Sequence, residues 1–454
     1  NSDGNGDASE GNVIGGMTQM GVRITASNNN VVAGNLIGTD VTGRLPRGNK
    51  NGIKIENGAQ DNRIGTDGIG QSDTEERNVI SSSIEHGVVI AGAASSGNVV
   101  AGNFIGTDIT GTLLLGNVIS GVTVHAGAGS TTIGGIGVGN VIGGNGAGVV
   151  TDALDAGAVV TIQANYIGTS ASRTIDLGNL GAGVSAGVSA GGRTIVGGTG
   201  VGEGNVITHN GLGVHVLGNG TTATIRGNSI DQNDALGIDL GDGTGIPDGV
   251  TENDALDADS GPNGLQNHPE LGSATAGAMT QVLGAFSGAP NATFELDFYA
   301  SSEIDASGSG EGKRYLGSSS LATDSFGNAN FTASGLLFTL DGDYISATAT
   351  DASGNTSEFA PTVAAVLATP PTIVPDSLLT YTIVTNSEAT FGEPTRSIGE
   401  GAPLYLTGDF ANVNGAASVT IEWGDGTTTT SGQLESLDAT SFTALHVYGD
   451  DDPT

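Results

Sequence analysis

Apolar and polar residues alternate along the first half of the chain with a period of two, in runs too short to hold a core by themselves, and the runs recur. Asn followed two residues later by Ile appears at Asn12, Asn35, Asn78, Asn103, Asn140, Asn165, Asn205 and Asn228, at spacings of 23, 43, 25, 37, 25, 40 and 23 residues. A second element runs in step: Gly21, Gly52, Gly87, Gly121, Gly148, Gly183, Gly213 and Gly237 each open a short alternating strand. A third short run precedes the Asn from the second repeat onward, as at Val31, Val99 and Val160. A period of two, with glycine interrupting every candidate helix, predicts strands and turns.

Strands this short bury their apolar face only by stacking on copies of themselves. The pattern therefore predicts a solenoid, a right-handed parallel β-helix of about eight coils over residues 12–245. Inward Ile and Val would form ladders, and backbone amides would pair between coils about 4.8 Å apart. The recurrent Asn would stack as an amide ladder, with Asn103, Asn140 and Asn165 superposed. Three segments of equal length, 38–49, 106–117 and 168–179, extend the longer intervals and should form a ridge along one side.

Beyond residue 245 the pattern changes. Residues 246–270 are an acidic, glycine-rich stretch that reads as a cap and linker. Residues 271–360 hold several short strands, among them 293–299 with Phe294, Leu296 and Phe298 on one face, and predict a β-sandwich. Residues 361–377 are rich in Pro, Ala and Thr and read as an extended linker. Residues 378–454 carry Trp423, Gly424, Asp425, Gly426 and Thr427 in a row, followed by His446 and Tyr448.

These motifs carry a resemblance. The N-x-I-G-T-D and G-N-x-x-x-G-V patterns of residues 1–245 resemble the pectin-lyase-like parallel β-helices of large bacterial surface and secreted proteins. The run closing with Asn355, Ser357, Glu358 and Phe359 resembles the bacterial immunoglobulin-like domain that follows such helices. The W-G-D-G-T and H-x-Y signatures of 378–454 resemble an incomplete PKD-type β-sandwich. The resemblance implies an extracellular or cell-surface setting. It leaves activity open, because the same fold serves polysaccharide lyases, glycosidases and inert adhesins.

Composition narrows the partners. The 454 residues include 48 acidic against 13 basic, a formal net charge of −35, which opposes nucleic acid and anionic bilayers. There is no cysteine, so disulfides and thiolate metal sites are excluded. No apolar run has the length of a membrane helix.

Candidate chemistry lies on the outward positions of the glycine-led strands. One column reads Arg23, Lys54, Val89, Thr123, Val150, Ser185, His215, Asp239; the next reads Thr25, Glu56, Ala91, His125, Asp152, Gly187, Leu217, Gly241. A lyase acting on an acidic glycan needs a base and a cation beside the substrate carboxylate, which Lys54 with Glu56 and Arg23, or His125 oriented by Asp152, would supply. A glycosidase needs two facing carboxylates, and the columns offer no close pair. The competing reading is a solvated surface. For metal, Asp257, Asp259 and Asn263 fall in an alternating acidic, glycine-permitted stretch that suits Ca²⁺, with Asp239, Asp242, Asp248 and Asp254 nearby, though not in EF-hand spacing. The sequence thus leaves two readings: a modular adhesion or structural protein that presents its β-helix to surface glycans, and a lyase or glycosidase acting on an acidic polysaccharide.

Overall fold

The computed structural model describes residues 10–69, 73–187, 191–241, 249–304 and 310–367 in full, and six strands by backbone alone between 381 and 447. The chain forms two compact units. One comprises Asn1–Ala274, Gln281–Leu336 and Gly342–Ala364, and the other Thr275–Thr280, Leu337–Asp341 and Ala365–Thr454.

The first unit begins with three parallel sheets. Two have eight strands and one has seven, and in each the neighbours are every third strand of the chain. The chain visits the three sheets in turn and returns one layer further along, an arrangement that fits a parallel β-helix. The first sheet is built from the Asn-x-Ile segments, so that Ile37, Ile80, Ile105, Ile142, Ile167 and Ile207 fall in one register and are fully buried. The second sheet is built from the glycine-led strands, Met20–Thr25 to Ile238–Gly241. One continuous apolar core runs the length of the coils.

Asparagine holds the corners. The backbone N–H and the Nδ2 of Asn103 both donate to Asn140 Oδ1 at 2.9 and 3.0 Å, and Asn140 donates likewise to Asn165 at 3.0 and 2.9 Å. The run extends from Asn12 to Asn228 without a break. A second ladder joins Asn117, Asn145, Asn179, Asn210 and Asn233, and a shorter third joins Asn30, Asn62 and Asn98. Each link satisfies a corner amide that has no strand partner, and beyond Asn12 and Asn30 these amides are buried.

These ladders also account for the recurrent glycine. A Cβ on Gly21 would lie 2.8 Å from Asn49 Nδ2 and 3.1 Å from Ile37 Cγ2, and one on Gly121 would lie 2.8 Å from both the Gly148 oxygen and Ile142 Cγ2. The strand runs too close to the ladder for any side chain. The three equal loops close on themselves through single bridges, Thr39 with Pro46, Thr107 with Leu114 and Thr169 with Asp176. The first two of them touch, Ile109 N–H donating to the Gly43 oxygen at 3.0 Å.

The last coil meets a seven-stranded sheet with antiparallel pairing, formed by strands from Glu270–Ala276 to Val363–Leu367. Its fully buried aromatics are Phe286, Phe294 and Phe298. This sheet supplies acceptors where a further coil would have stood. Glu311 takes the N–H groups of Gln232 and Asn233, Glu358 takes that of Leu240, Thr356 that of Ile225, and Tyr299 that of Gly227. Tyr299 and Phe359 belong to the same apolar core as the coils. In the second unit, strands Tyr381–Val384, Ser418–Glu422 and Thr428–Thr430 form one antiparallel sheet, and Pro403–Asp409, Ser436–Leu437 and Ser441–Val447 another. The Trp423 to Thr427 motif and Tyr448 lie outside the described residues, while His446 lies in strand Ser441–Val447.

Candidate functional site

The outward columns of the second sheet are in register as the sequence implies. Arg23, Lys54, Val89, Thr123, Val150, Ser185, His215 and Asp239 are successive partners across the eight strands. Thr25, Glu56, Ala91 and His125 form the start of the adjacent column. The expectation of a solvated surface holds for part of it only. Glu56, Val89, Ala91, Thr123, His215 and Asp239 are all buried, whereas Arg23 and Asp152 are exposed.

Arg23, Lys54 and Glu56 come together. Arg23 Nε donates to Glu56 Oε1 at 2.6 Å, and Lys54 Nζ lies 2.7 Å from Oε2. The Lys54 hydrogen bond, with help from Arg23 and against burial, holds the Glu56 carboxyl below its ordinary range. With both oxygens engaged and the charge stabilised, Glu56 is a poor proton acceptor.

His125 and Asp152 are not joined. No hydrogen bond links them, and the Asp152 carboxylate lies over Gly187, where Oδ1 would stand 2.8 Å from an added Cβ. Burial lowers the His125 pKa, the Lys54 charge lowers it further, and Asp152 works weakly the other way. His125 is therefore a half-buried neutral imidazole near a lysine, and the orienting carboxylate expected for it is absent from its ring nitrogens.

One group was missed. His86 Nδ1 lies 2.8 Å from Ser120 Oγ and 3.1 Å from Thr123 Oγ1, and the two hydroxyls are 2.5 Å apart. Burial lowers the His86 pKa, the Glu85 charge works the other way, and His125 adds a smaller lowering. A hydroxyl on an imidazole is the contact a nucleophile requires, but Ser120 is fully buried, which keeps a substrate from its oxygen. His86 and Ser120 pair across the strands at the position just before the glycine, a column whose members Met20, Asn51, His86 and Ser120 share no residue type and so gave no signal. The outward carboxylates of these columns, Glu56, Asp152 and Asp239, stand three coils apart, about 14 Å at the coil spacing, beyond the separations glycoside hydrolysis uses. His215 Nε2 lies 3.8 Å from Asp239 Oδ1, with both residues buried.

In the acidic stretch, Asp254, Asp257 and Asp259 bring carboxylate oxygens within 4.8 Å of one another. Burial and the two neighbouring carboxylates push Asp257 up to about 6. Asn263 is elsewhere. Its Oδ1 accepts from Ala223 N at 2.6 Å, and its Nδ2 donates to the Ala223 and Thr356 oxygens, so it caps strand Thr222–Arg226 instead of completing a cation site. Asp242 and Asp248 lie outside the described residues. A second cluster, Asp67, Asp73 and Glu76, went unread in the sequence; Arg63 lies 2.8 Å from Glu76 and 3.6 Å from Asp67 and already offsets its charge.

No protein-family model and no curated protein matches the chain. Among the described residues, no helix is long and apolar enough to cross a membrane.

Proposed function

We propose that this is an extracellular or cell-surface modular protein with an adhesion or structural role. On this reading the coils are a right-handed, pectin-lyase-like parallel β-helix, the hand following from the strong preference of parallel crossovers. An immunoglobulin-like sandwich follows it, then a PKD-like module, and the second sheet is the face offered to surface glycans. The observation that carries the reading is the engagement of Glu56 by Lys54 and Arg23. The strongest charge cluster on the face is closed on itself, as befits a rigid surface more than a proton-transfer site. The net charge of −35 keeps nucleic acid from the list of partners.

A polysaccharide lyase acting on an acidic glycan is the second reading. What favours it is the neutral His125, a base of suitable protonation beside the cationic Lys54. Incubation with a panel of polyuronates separates the two, because elimination creates a conjugated double bond that absorbs in the ultraviolet. Retention of the glycans without new absorbance supports adhesion. Absorbance that disappears in both Lys54→Ala and His125→Ala supports the lyase and sinks the first reading.

A further inference from the structure

Side-chain amides in this chain do more than hold corners, because one of them stands where it can react with its own backbone. In an Asn–Gly pair the glycine nitrogen reaches the Asn side-chain carbonyl carbon with no Cβ in the way. Among the described residues six such pairs occur, beginning at Asn51, Asn57, Asn145, Asn210, Asn219 and Asn263.

Five of them are held out of reaction. Asn51, Asn145, Asn210 and Asn263 are buried. Asn145 and Asn210 are bound in the second ladder, and the Gly146 and Gly211 N–H groups donate to the Asn117 and Asn179 oxygens at 3.1 and 3.0 Å. Asn51 donates to Glu85 and accepts from the His86 N–H, and Asn263 is bonded through both amide atoms. Asn57 is exposed, yet its Nδ2 donates to Thr25 Oγ1 at 3.0 Å, and the Gly58 N–H donates to the buried Ser95 Oγ at 3.1 Å.

Asn219 differs on every count. It is exposed, and its side chain makes no hydrogen bond among the described residues. It stands second in a turn closed by the Thr221 N–H on the Gly218 oxygen at 3.2 Å, with Gly220 next at φ +80°. A Cβ on Gly220 would meet nothing within 4 Å, whereas one on Gly146 or Gly211 would lie 2.4 Å from a backbone oxygen. The space that a five-membered ring requires is therefore open at this pair. The Gly220 N–H has one weak partner, the Gly261 oxygen at 3.4 Å.

We infer that Asn219–Gly220 is a site of spontaneous deamidation, and that its product loosens the segment lying on the turn. The Gly220 nitrogen loses its proton to solvent base and bonds to Asn219 Cγ; the Cγ–Nδ2 bond breaks and ammonia leaves. Water then opens the succinimide at either carbonyl, which gives aspartate or isoaspartate without oxidant or cofactor. Isoaspartate routes the backbone through Cβ and lengthens the turn by one carbon. That turn receives the acidic segment, since the Asn263 N–H donates to the Thr221 oxygen at 2.9 Å. Isoaspartate at 219 therefore frees the Asn263 amide at the edge of strand Thr222–Arg226.

The test ages the whole chain in mildly alkaline buffer and follows it by peptide mass spectrometry that separates aspartate from isoaspartate. Both products should accumulate at Asn219, with Asn57 well behind. Asn145 and Asn210 react only through local opening and should lag by about a hundredfold or more. In urea all six pairs should react at similar rates, because the fold alone tells them apart. A folded chain in which Asn219 reacts no faster than Asn57 or Asn145 overturns the site, and so does the same preference for Asn219 in urea. Hydrogen exchange at the Asn263 amide should be several-fold faster in aged than in fresh protein. Asn219→Asp, which adds the charge without the extra carbon, should match fresh protein, and Asn219→Gln should show no change on ageing. Equal exchange in aged and fresh protein, or exchange in Asn219→Asp as fast as in aged protein, overturns the lengthened turn.

Discussion

Ser83 occupies the place that Asn holds in the second ladder at Asn49, Asn117, Asn145, Asn179, Asn210 and Asn233. Its backbone N–H donates to Asn117 Oδ1 at 2.9 Å as the ladder requires, but its buried Oγ has no partner, and the Asn49 backbone N–H has no acceptor among the described residues. Ser83→Asn should close the gap by accepting from Asn49 and donating to Asn117. At about 1 kcal/mol net per hydrogen bond, calorimetry should show a melting temperature a few degrees higher. Ser83→Ala, which removes only an unsatisfied hydroxyl, should be close to neutral; a loss with both variants would show that Ser83 is satisfied by something else. By contrast Ile142→Asp buries a charge at a fully enclosed position and should cost several kcal/mol, read as a large fall in melting temperature by circular dichroism. The first ladder was legible because Asn and Ile keep a fixed spacing of two. The second was hidden because its members stand either three or four residues before the strand glycine, with no fixed apolar partner beside them, and Ser83 interrupts it. The inward Cβ direction of the recurrent glycine follows from contacts with Ile37 and Asn49 that are remote in sequence.

At the scale of elements, the junction between the coils and the antiparallel sheet rests on a buried ion pair. Arg226 donates to both oxygens of Asp297 at 2.6 and 2.8 Å, Tyr315 adds a hydrogen bond, and Asp297 is fully buried. The Asp297 hydrogen bond raises the Arg226 pKa, so the guanidinium stays charged. Asp297→Ala leaves that charge without its partner and should cost about 3–5 kcal/mol, whereas the double variant Arg226→Met/Asp297→Leu should lose much less. Urea unfolding of the two variants checks the difference. None of this was legible, since residues 71 apart gave no sign of meeting. The acidic stretch gives a pH-dependent counterpart. Asp257 titrates at about 6 when folded against an ordinary 3.8, so the folded state takes up the proton first. Its contribution to stability should grow as pH falls from above 6 toward 4 and level off below that. Glu56, Asp40 and Asp108 act oppositely, their stabilisation being lost only below their ordinary values. Calorimetry in chelator should show the melting temperature of Asp257→Asn exceeding wild type at pH 7.5 and converging with it near pH 4. Millimolar Ca²⁺ should narrow the gap at pH 7.5 if the three carboxylates hold it; equal curves in Ca²⁺ and chelator remove the cation.

For the molecule as a whole, stability in a stack of coils is a sum of contacts between neighbours, so each coil is as firm as what lies on both sides of it. The core is continuous from Ile24 to Leu240 and then into Tyr299 and Phe359, which gives the far coil a neighbour in the antiparallel sheet. Among the described residues the near coil pairs with one neighbour, and Val13 and Val31, in its outermost strands, are exposed. Local opening should therefore begin at the near end, and hydrogen exchange at neutral pH should rise in protection from Met20–Thr25 through Asn51–Glu56 to a plateau by Ser120–His125, staying high at Leu212–Leu217. The cap is the reason for the asymmetry, so removing its anchor should create fraying at the other end. In Asp297→Ala, protection should fall at Thr222–Arg226 and Leu212–Leu217 while Met20–Thr25 exchanges as before. A uniform drop across all coils would mean that the stack opens as one cooperative block, and that the antiparallel sheet stabilises the whole solenoid instead of the coil it touches.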